Sequence, residues 1–397
     1  MEKNKKAKIM LKPGREKSIL RYHPWIFSGA VGDMEPGIKE GDIADVFSHD
    51  NIYLATGHFQ PSTINVRLFT FEEQDINEEF WKNKLKDAID LRTRLGFFNN
   101  KDTNVFRLIN AEGDGFPGLI ADYYNGIIVL QAHSVGMYFH FDIFKELLKD
   151  LLGDKLKAIY DKSSGTLPHK ADLKTNDGFI YGSTGEIVVS EYGNKFLIDI
   201  IEGQKTGFFI DQRENRFLIE NFCTNKKVLN TFSYSGGFSV YALKGGADIV
   251  HSVDSSTKAV ELADRNINLN FNNCQNHMSI EEDVLKFLDA SDEKYDVIIL
   301  DPPAFAKHTD ALRQGLRGYF RINKKAFERL NSGGVLFTFS CSQIVSREDF
   351  KTAVFQAAAA TGRSARIIYQ LNQPADHPVS IYHPEGDYLK GLVLYVE

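Results

Sequence analysis

From about residue 196 the sequence alternates between apolar runs and segments with helical character. The apolar runs are KKVLNTFS, ADIVHSVD, YDVIILDPP and GGVLFTFSCS, and a helical segment follows each of them. Strands that alternate with helices at this spacing predict a parallel, doubly wound α/β sheet. Ligands of such sheets bind beyond the carboxyl ends of the strands. The residues directly after each run are therefore the candidates for function.

Two further regions precede this predicted sheet. Residues 1–72 consist of short strand-like runs broken by turns, such as KIMLK and STINVRLFT, and predict a small all-β domain. Residues 73–195 combine strand-like runs such as GLIADYY with the helical patterns NEEFWKNKLKDAIDL and FDIFKELLKDLLG, which predicts an α+β domain. The predicted domains are therefore 1–72, 73–195 and 196–397.

Charge is distributed unevenly along the chain. The net charge of −6 over 397 residues gives no overall attraction to nucleic acid. The first 30 residues nevertheless carry eight basic residues against the two acids Glu2 and Glu16. Contact with phosphates and a solvated, frayed terminus explain this cluster equally well. Its basic residues are Lys3, Lys5, Lys6, Lys8, Lys12, Arg15, Lys17 and Arg21.

Cysteine content and hydropathy indicate where in the cell the protein is expected. The three cysteines, Cys223, Cys274 and Cys341, are odd in number and widely spaced, which argues against a disulfide framework and against a CxxC metal site. No apolar stretch approaches the ~18 residues of a membrane span, and the N-terminus lacks an apolar signal core. We therefore expect a cytoplasmic protein without a metal site and without a membrane partner.

The first three predicted strands end in residues suited to a nucleoside. Gly236 and Gly237 let the backbone approach a ligand closely at a helix N-terminus, although they also suit a tight turn. Asp254 lies 18 residues after Gly236, where a carboxylate could accept hydrogen bonds from a ribose diol or cap the next helix. Asp283 could hold an adenine amino group or cap the helix at LKFL. Together these residues favour a nucleoside-binding edge.

The fourth predicted strand, VIILDPPAF, carries the most specific signal. Two prolines stop the strand and stiffen the loop that presents Asp301, and an aspartate after four apolar residues has no use in a core. This pattern resembles the fourth motif of S-adenosylmethionine-dependent methyltransferases that act on nucleobases. The next strand ends in FTFSCSQ. Cys341 alone would be interpreted as a small buried hydrophobe, but on the same rim as Asp301 it suits a nucleophile.

Six sequence blocks resemble one family over essentially the whole chain. The chain is similar to the RlmI-like ribosomal RNA large-subunit methyltransferases, class I enzymes that form 5-methylcytosine in 23S rRNA. The resemblance implies an N-terminal PUA domain, an RNA-binding fold, then a central α+β domain and a C-terminal Rossmann-like methyltransferase sheet. The blocks are RYHPWIFSGAV (21–31), LINAEGDGFPGLIADYY (108–124), GQKTGFFIDQRENR (203–216), LDPPAFAK, FSCS and DHPVSIYHPEGDYLKGL (376–392).

The resemblance also implies a role for individual residues. Cys341 matches the family's nucleophile, and Asp301 is its catalytic partner. Arg213 and Arg216 would suit the methionine carboxylate of S-adenosylmethionine, although a surface salt-bridge pair on one helix remains the alternative. The residues expected to bind the cofactor are Phe209, Asp211, Arg213, Tyr234, Ser235, Gly236, Gly237, Asp254, Asp283 and Asp301.

RNA contact is expected in the first domain. Basic side chains for phosphates and aromatic rings for bases are interleaved there, with Lys12, Arg15, Arg21 and Trp25 as the candidates. Trp25 and Phe27 could equally form the core of a small β-domain, and burial is the favoured role for at least one of them. The expected partners are 23S rRNA and, in a homodimer, a second copy of the chain.

Three functions remain open at this point. The first is methylation of cytosine C5 in large-subunit rRNA through a covalent cysteine adduct. The second is methylation of guanine N7 or an exocyclic base amine, which needs no thiol. The third is a non-catalytic RNA-binding factor in ribosome assembly. Cys341 favours the first over the second, and the complete set of strand-end residues argues against the third.

Overall fold

The structure is a computed structural model that describes residues 6–168, 173 and 175–397. Lys3 and Lys5 of the basic cluster lie outside the described residues. The chain divides into two compact units, each built from three stretches. The first unit comprises Met1–Val189, Ile198–Phe208 and Ala375–Gly386, and the second comprises Ser190–Leu197, Phe209–Pro374 and Asp387–Glu397. The domain boundaries inferred from the sequence stay a prediction.

The first unit begins with a six-stranded sheet in the order β2-β6-β5-β4-β1-β3. Its strands alternate buried and more exposed residues, as in β4, where Ala44 and Val46 are buried between more exposed neighbours. This period of two places one apolar face on a core of its own. The strands are β1 (Ala7–Leu11), β2 (Trp25–Phe27), β3 (Val31–Met34), β4 (Ile43–Phe47), β5 (Tyr53–Phe59) and β6 (Ile64–Thr70).

A second sheet of the first unit, in the order β11-β10-β9-β8-β7, packs with helices around a larger core. Helix α1 begins only at Glu78 because the Asn77 side chain accepts a hydrogen bond from the Phe80 amide at 3.0 Å and caps it. These elements are α1 (Glu78–Arg94), β7 (Val105–Asn110), β8 (Leu119–Tyr124), β9 (Ile127–Ala132), α2 (Val135–Tyr138), α3 (Phe141–Leu152), β10 (Ala158–Asp161) and β11 (Gly178–Tyr181).

The acidic block LINAEGDGFPGLIADYY has a structural role in this unit. Two nitrogens of the buried Arg92 donate to Asp114 at 2.6 and 2.8 Å, and Arg107 donates to Asp122 at 2.8 and 3.0 Å. Asp114 also accepts from the Asn110 amide at 2.6 Å. Removing one partner of such a buried, hydrogen-bonded pair is costly, so the intact fold of this sheet depends on the aspartates of the block. A short two-stranded sheet of β12 (Ile187–Glu191) and β13 (Asn194–Ile198) follows.

The second unit is built on a seven-stranded sheet in the order β16-β15-β14-β17-β18-β20-β19. The five strands from β16 to β18 are parallel, and β20 runs antiparallel to both β18 and β19. The predicted doubly wound α/β sheet is confirmed, and only the antiparallel pair at its edge was not anticipated. The strands are β14 (Lys227–Thr231), β15 (Ile249–Asp254), β16 (His277–Glu281), β17 (Tyr295–Leu300), β18 (Leu330–Ser340), β19 (Ala365–Leu371) and β20 (Lys390–Val396).

Helices follow the parallel strands of this sheet along the chain. The run Val297–Leu300 of β17 is buried throughout, as expected for a central strand covered on both faces. Its carboxyl end is therefore the first place where a polar residue can reach solvent. The helices of the unit are α4 (Arg213–Ile219), α5 (Gly237–Lys244), α6 (Thr257–Asn270), α7 (Val284–Ala290), α8 (Leu312–Arg329) and α9 (Arg347–Thr361).

Candidate active site

Asp254 holds the turn between β14 and α5 in place. Its Oδ2 accepts a hydrogen bond from the Tyr234 amide at 3.0 Å, and its Oδ1 accepts from the Ser256 amide at 3.0 Å. The N-cap of α6 is Ser256, whose side chain accepts from the Ala259 amide. The capping alternative for Asp254 is therefore wrong. This carboxylate instead joins the ends of two adjacent strands, where the sequence predicts a ribose contact.

The two glycines of this turn are required by the protein's own packing. Gly236 has a φ of +69°, and a Cβ there would lie 3.0 Å from the Cβ of Ala263 in α6. A Cβ on Gly237 would lie 2.9 Å from Cδ of Arg216. The Ser235 carbonyl accepts from Asn266 Nδ2 at 2.9 Å. The turn is thus held rigidly against α6, which presents the N-terminus of α5 in a fixed position.

Several other predicted cofactor residues meet beside this turn. The rings of Phe209 and Tyr234 pack edge to face with centroids 5.3 Å apart, and both side chains are partly exposed. The carboxylate of Asp211 accepts from the Tyr388 hydroxyl at 2.7 Å. The sequence did not assign Tyr388, although it lies in one of the six blocks. Phe209, Tyr234 and Asp254 together form an aromatic and acidic edge of the kind that a nucleoside requires.

The two arginines of α4 are both buried. Nε and Nη2 of Arg216 donate to the carboxylate of Glu191 at 2.8 and 2.7 Å, and Nη1 donates to the Phe209 carbonyl at 2.8 Å. Arg213 is also fully buried, with Nε 3.4 Å from Glu214 Oε1. The surface salt-bridge alternative is therefore wrong for both. All three nitrogens of Arg216 donate within the chain, so its role is to fix the segment that carries Phe209.

Asp283 caps a helix, which is one of the two roles that the sequence predicts for it. It is the N-cap of α7, and its Oδ1 accepts from the Lys286 amide at 3.0 Å. It follows β16 by two residues, close to the predicted strand end. A contact between Asp283 and an adenine stays a prediction.

A short relay of side chains orients Asp301. This residue directly follows β17, and its Oδ1 accepts from Gln212 Nε2 at 3.0 Å. Gln212 Oε1 in turn accepts from Asn215 Nδ2 at 2.6 Å. Both relay residues are buried, so the carboxylate is presented in a defined direction. The sequence predicted Asp301 but not Gln212, because an amide carries no signal until its partner is known.

Cys341 directly follows β18, the parallel neighbour of β17, and therefore lies at the same edge as Asp301. Leu300 of β17 pairs with Thr338 of β18, which brings the ends of the two strands together. Cys341 is partly exposed, whereas Cys223 is completely buried, and burial raises the pKa of the Cys223 thiol to about 12. A partly exposed thiol at a strand end is the kind that can react. Cys341 is therefore not the fully buried hydrophobe that its local sequence suggests.

The residues on both sides of Cys341 are firmly anchored. Ser340 Oγ donates to the Tyr319 hydroxyl at 2.9 Å, and Ser342 Oγ donates to the Ala306 carbonyl at 2.5 Å. Burial raises the pKa of Tyr319 to about 12, and negative charge at Cys341 and Asp301 adds to the shift. Tyr319 therefore stays neutral although it is close enough to feel the charge of both groups. The sequence gave no reason to select it, since a tyrosine in an amphipathic helix is usually a core residue.

The residues predicted to contact RNA lie in the first unit and differ in exposure. Lys12, Arg15 and Arg21 are exposed. Trp25 is partly buried, its Nε1 donates to Glu112 Oε1 at 2.8 Å, and its ring lies 4.4 Å from that of His383. Phe27 is 45% exposed, so burial applies to the tryptophan rather than to the phenylalanine. RNA contact by these four residues stays a prediction.

No helix in the described ranges is long and apolar enough to cross a membrane.

Two family models match successive stretches of the chain. The model described as S-adenosylmethionine-dependent methyltransferase matches residues 107–388, and the model described as PUA-like domain matches residues 9–71. The chain is 41% identical to ribosomal RNA large subunit methyltransferase I from Aeromonas salmonicida, over 97% of this chain and 98% of that protein. It is 39% identical to the protein of the same name from Klebsiella pneumoniae, with 98% of each chain covered.

Solved structures share the fold. SMU.776, described as a methyltransferase and solved as a complex with SAH, superposes with a TM-score of 0.85 at 22% identity and covers 98% of this chain and 99% of its own. The expected PUA-like and class I methyltransferase folds are thereby confirmed, as is S-adenosylmethionine as the cofactor. The chain belongs to the S-adenosylmethionine-dependent methyltransferases, in the family of the ribosomal RNA large subunit methyltransferase I proteins.

Proposed function

We propose that the protein methylates carbon 5 of a cytosine in 23S ribosomal RNA, with Cys341 as a covalent nucleophile. The observation that carries this proposal is the partly exposed thiol of Cys341, which directly follows β18, beside Asp301, which directly follows the adjacent strand β17. The relatives' name, ribosomal RNA large subunit methyltransferase I, supports the class of RNA. The PUA-like match over residues 9–71 supports RNA as the substrate.

A thiol and a carboxylate at one edge match the needs of this reaction. Carbon 5 of cytosine is a poor nucleophile. Addition of the Cys341 thiolate to carbon 6 forms a C–S bond and gives carbon 5 enamine character. A carboxyl group near N3 assists by donating a proton to N3. S-adenosylmethionine supplies the methyl group. Transfer of the C5 proton to water or a base then restores the ring, as the bond between Cys341 and carbon 6 breaks and N3 returns its proton to the carboxylate. The relay from Gln212 would hold Asp301 toward the base.

We assign the cofactor to the edge formed around the β14–α5 turn. In this assignment Asp254 takes the ribose diol, and the rings of Phe209 and Tyr234, which pack edge to face beside it, take the adenosyl group. Asp211, Arg213, Ser235–Gly237, Asp283 and Asp301 complete the proposed set. The fit is supported by the fixed position of the turn, because a held backbone loses little entropy when a ligand binds.

The decisive variant is Cys341→Ala. We expect methyl transfer to 23S rRNA to fall by about 10³-fold or more, because the covalent step has no other nucleophile. Calorimetric binding of S-adenosylmethionine should be unchanged. The matched control is Cys274→Ala, which removes another partly exposed thiol and should retain full activity.

The reaction product identifies the base. Nucleoside mass spectrometry of the modified RNA should show 5-methylcytidine. Detection of 7-methylguanosine or of a base methylated on its exocyclic amine, with full activity in Cys341→Ala, would replace the proposal by methylation without a thiol. We also propose that the protein is cytoplasmic and that it acts as a homodimer. Sedimentation of the full chain tests the homodimer.

A further inference from the structure

A buried lysine lies next to the proposed nucleophile. Lys390 is the first residue of β20, only 4% of its surface is exposed, and it pairs across the sheet with Ser340. Its Nζ donates to the Ser342 carbonyl at 2.6 Å. The ammonium group is thus hydrogen-bonded to the segment Ser340–Ser342, whose central residue is Cys341.

Among the residues that the structure describes, the charged groups near Lys390 offset its charge only in part. Asp387 is already engaged by Arg347, which donates to its two carboxylate oxygens at 3.1 and 2.7 Å. Arg347 itself carries the same charge as Lys390. A carbonyl such as that of Ser342 supplies a dipole but no counter-charge, and a buried ammonium without a counter-charge is costly. Burial lowers the pKa of Lys390 to about 8, while negative charge at Asp387 and Cys341 acts against this shift.

Cys341 has the opposite electrostatic problem. The carboxylate of Asp301, at the end of β17, disfavours a second negative charge at the same edge. Tyr319 from α8 is neutral and cannot compensate. A thiol in this position needs a nearby cation if its thiolate is to form near neutral pH. Lys390 is the cation that the strand pairing of β18 and β20 brings to this segment.

We propose that Lys390 is a positioning residue that stabilises the thiolate of Cys341 through its positive charge. The proposal rests on the proposed function of Cys341 as nucleophile. Lys390 holds the strand end through the Ser342 carbonyl and offsets the charge of Asp301. Its contribution to the reaction is to raise the fraction of Cys341 that is ionised before RNA binds.

Alkylation of the full-length protein by iodoacetamide, without RNA, tests this assignment. Trypsin places the three cysteines on separate peptides, FLIENFCTNK, NINLNFNNCQNHMSIEEDVLK and LNSGGVLFTFSCSQIVSR, so mass spectrometry follows Cys341 alone. The alkylation rate as a function of pH gives the pKa of its thiol. We expect a wild-type value below about 8.5, the ordinary cysteine pKa. A value at or above it would overturn the proposal even without a variant.

Two variants separate charge from hydrogen bonding. Lys390→Gln retains a donor for the Ser342 carbonyl and removes the charge, whereas Lys390→Met removes both. We expect both to raise the pKa of the Cys341 thiol by about one unit or more, which slows alkylation at pH 7 about tenfold. A change in Lys390→Met alone would mean that the bond to Ser342 matters and not the charge. Lys324→Gln, which removes an α8 lysine paired with Glu328, should leave the pKa unchanged.

Activity provides a second readout. Methyl transfer by Lys390→Gln should be low at pH 7 and recover as the pH rises, because the thiolate then forms without help. A loss that is equal at every pH would contradict the proposal. Alkylation of the buried Cys223 shows whether a variant is folded. Alkylation needs no RNA, so the two proposals can fail separately. An unchanged thiol pKa in Lys390→Gln refutes the role of Lys390 but not the proposed function. Full activity of Cys341→Ala refutes the proposed function but not the effect of Lys390 on the thiol.

Discussion

Arg216 and Glu191 form a buried ion pair beside the segment that carries Phe209. Both side chains are almost completely inaccessible, and the pair has two short hydrogen bonds. Replacing one partner leaves the other charge buried and alone. We therefore expect Glu191→Gln to lower the free energy of unfolding by about 3–5 kcal/mol, measured by urea titration with far-UV circular dichroism.

A glutamate in an exposed pair provides the control for this variant. Glu146 of α3 lies 2.7 Å from Lys149 Nζ, and its side chain is 59% exposed. Exposed pairs contribute little, so Glu146→Gln should cost less than about 1 kcal/mol. An equal loss for the two variants would show that the burial of Glu191 is not what matters.

The sequence predicts single residues well where the backbone pattern locates them. Cys341 and Asp301 each follow an apolar run, so their position at one edge could be inferred from the order of strands. Lys390 and Gln212 could not be selected in this way. Their partners lie 48 and 89 residues away along the chain, and only the folded sheet brings them together.

The turn between β14 and α5 packs against α6 at Gly236, and this contact between elements can be tested. Gly236→Ala would put a Cβ into contact with Ala263 of α6 at a positive φ. We expect a loss of about 2–4 kcal/mol, from a left-handed backbone and from overpacking together. Affinity for S-adenosylmethionine should fall as the turn shifts. Thermal unfolding and calorimetry measure the two effects.

Gly362 is the matched control for Gly236. It has a φ of +67° at the end of α9, and a Cβ there would meet nothing within 4 Å. Gly362→Ala should therefore cost only the backbone strain of about 1–2 kcal/mol and leave cofactor binding intact. If the two variants lose equal stability, the contact with α6 is unimportant.

Among the elements of the second unit's sheet, the parallel strands were predicted and the antiparallel pair β19 and β20 was not. The four apolar runs named from the sequence are β14, β15, β17 and β18 of the sheet. No α-helix separates β19 from β20 in this fully described part of the chain, so the alternation of strands and helices on which the prediction rested did not point to this pair. Helix α1 was expected, but the position of its start depends on capping by Asn77, which periodicity alone does not reveal.

Acid should destabilise the whole molecule through its buried histidines. Burial lowers the pKa of His58 well below its usual value and lowers those of His140 and His277 to about 4. The unfolded chain, with a histidine pKa near 6.5, then binds more protons than the folded one. Stability is therefore full above about pH 7 and is lost as the pH falls from about 6.5 toward 4. His277 alone should cost about 2 kcal/mol between pH 7.5 and 5.

The two units can be followed separately in this experiment. The protein has two tryptophans, Trp25 and Trp81, and both belong to the first unit. Tryptophan fluorescence in urea titrations therefore reports on the first unit, in which His140 packs 4.8 Å from Trp81. Circular dichroism reports on both units. His277→Asn should reduce the pH dependence seen by circular dichroism and leave that seen by fluorescence unchanged, and any other pattern would contradict the assignment.

The order in which the chain visits the two units has a consequence for its synthesis. The first unit includes Ala375–Gly386, and strand β20, Lys390–Val396, lies between β18 and β19 inside the sheet of the second. A nascent chain therefore completes neither unit until residues near 390 have emerged from the translating ribosome. Until then the sheet of the second unit is unfinished, with β18 and β19 not yet joined by β20, and such unpaired strand edges are the kind that chaperones protect.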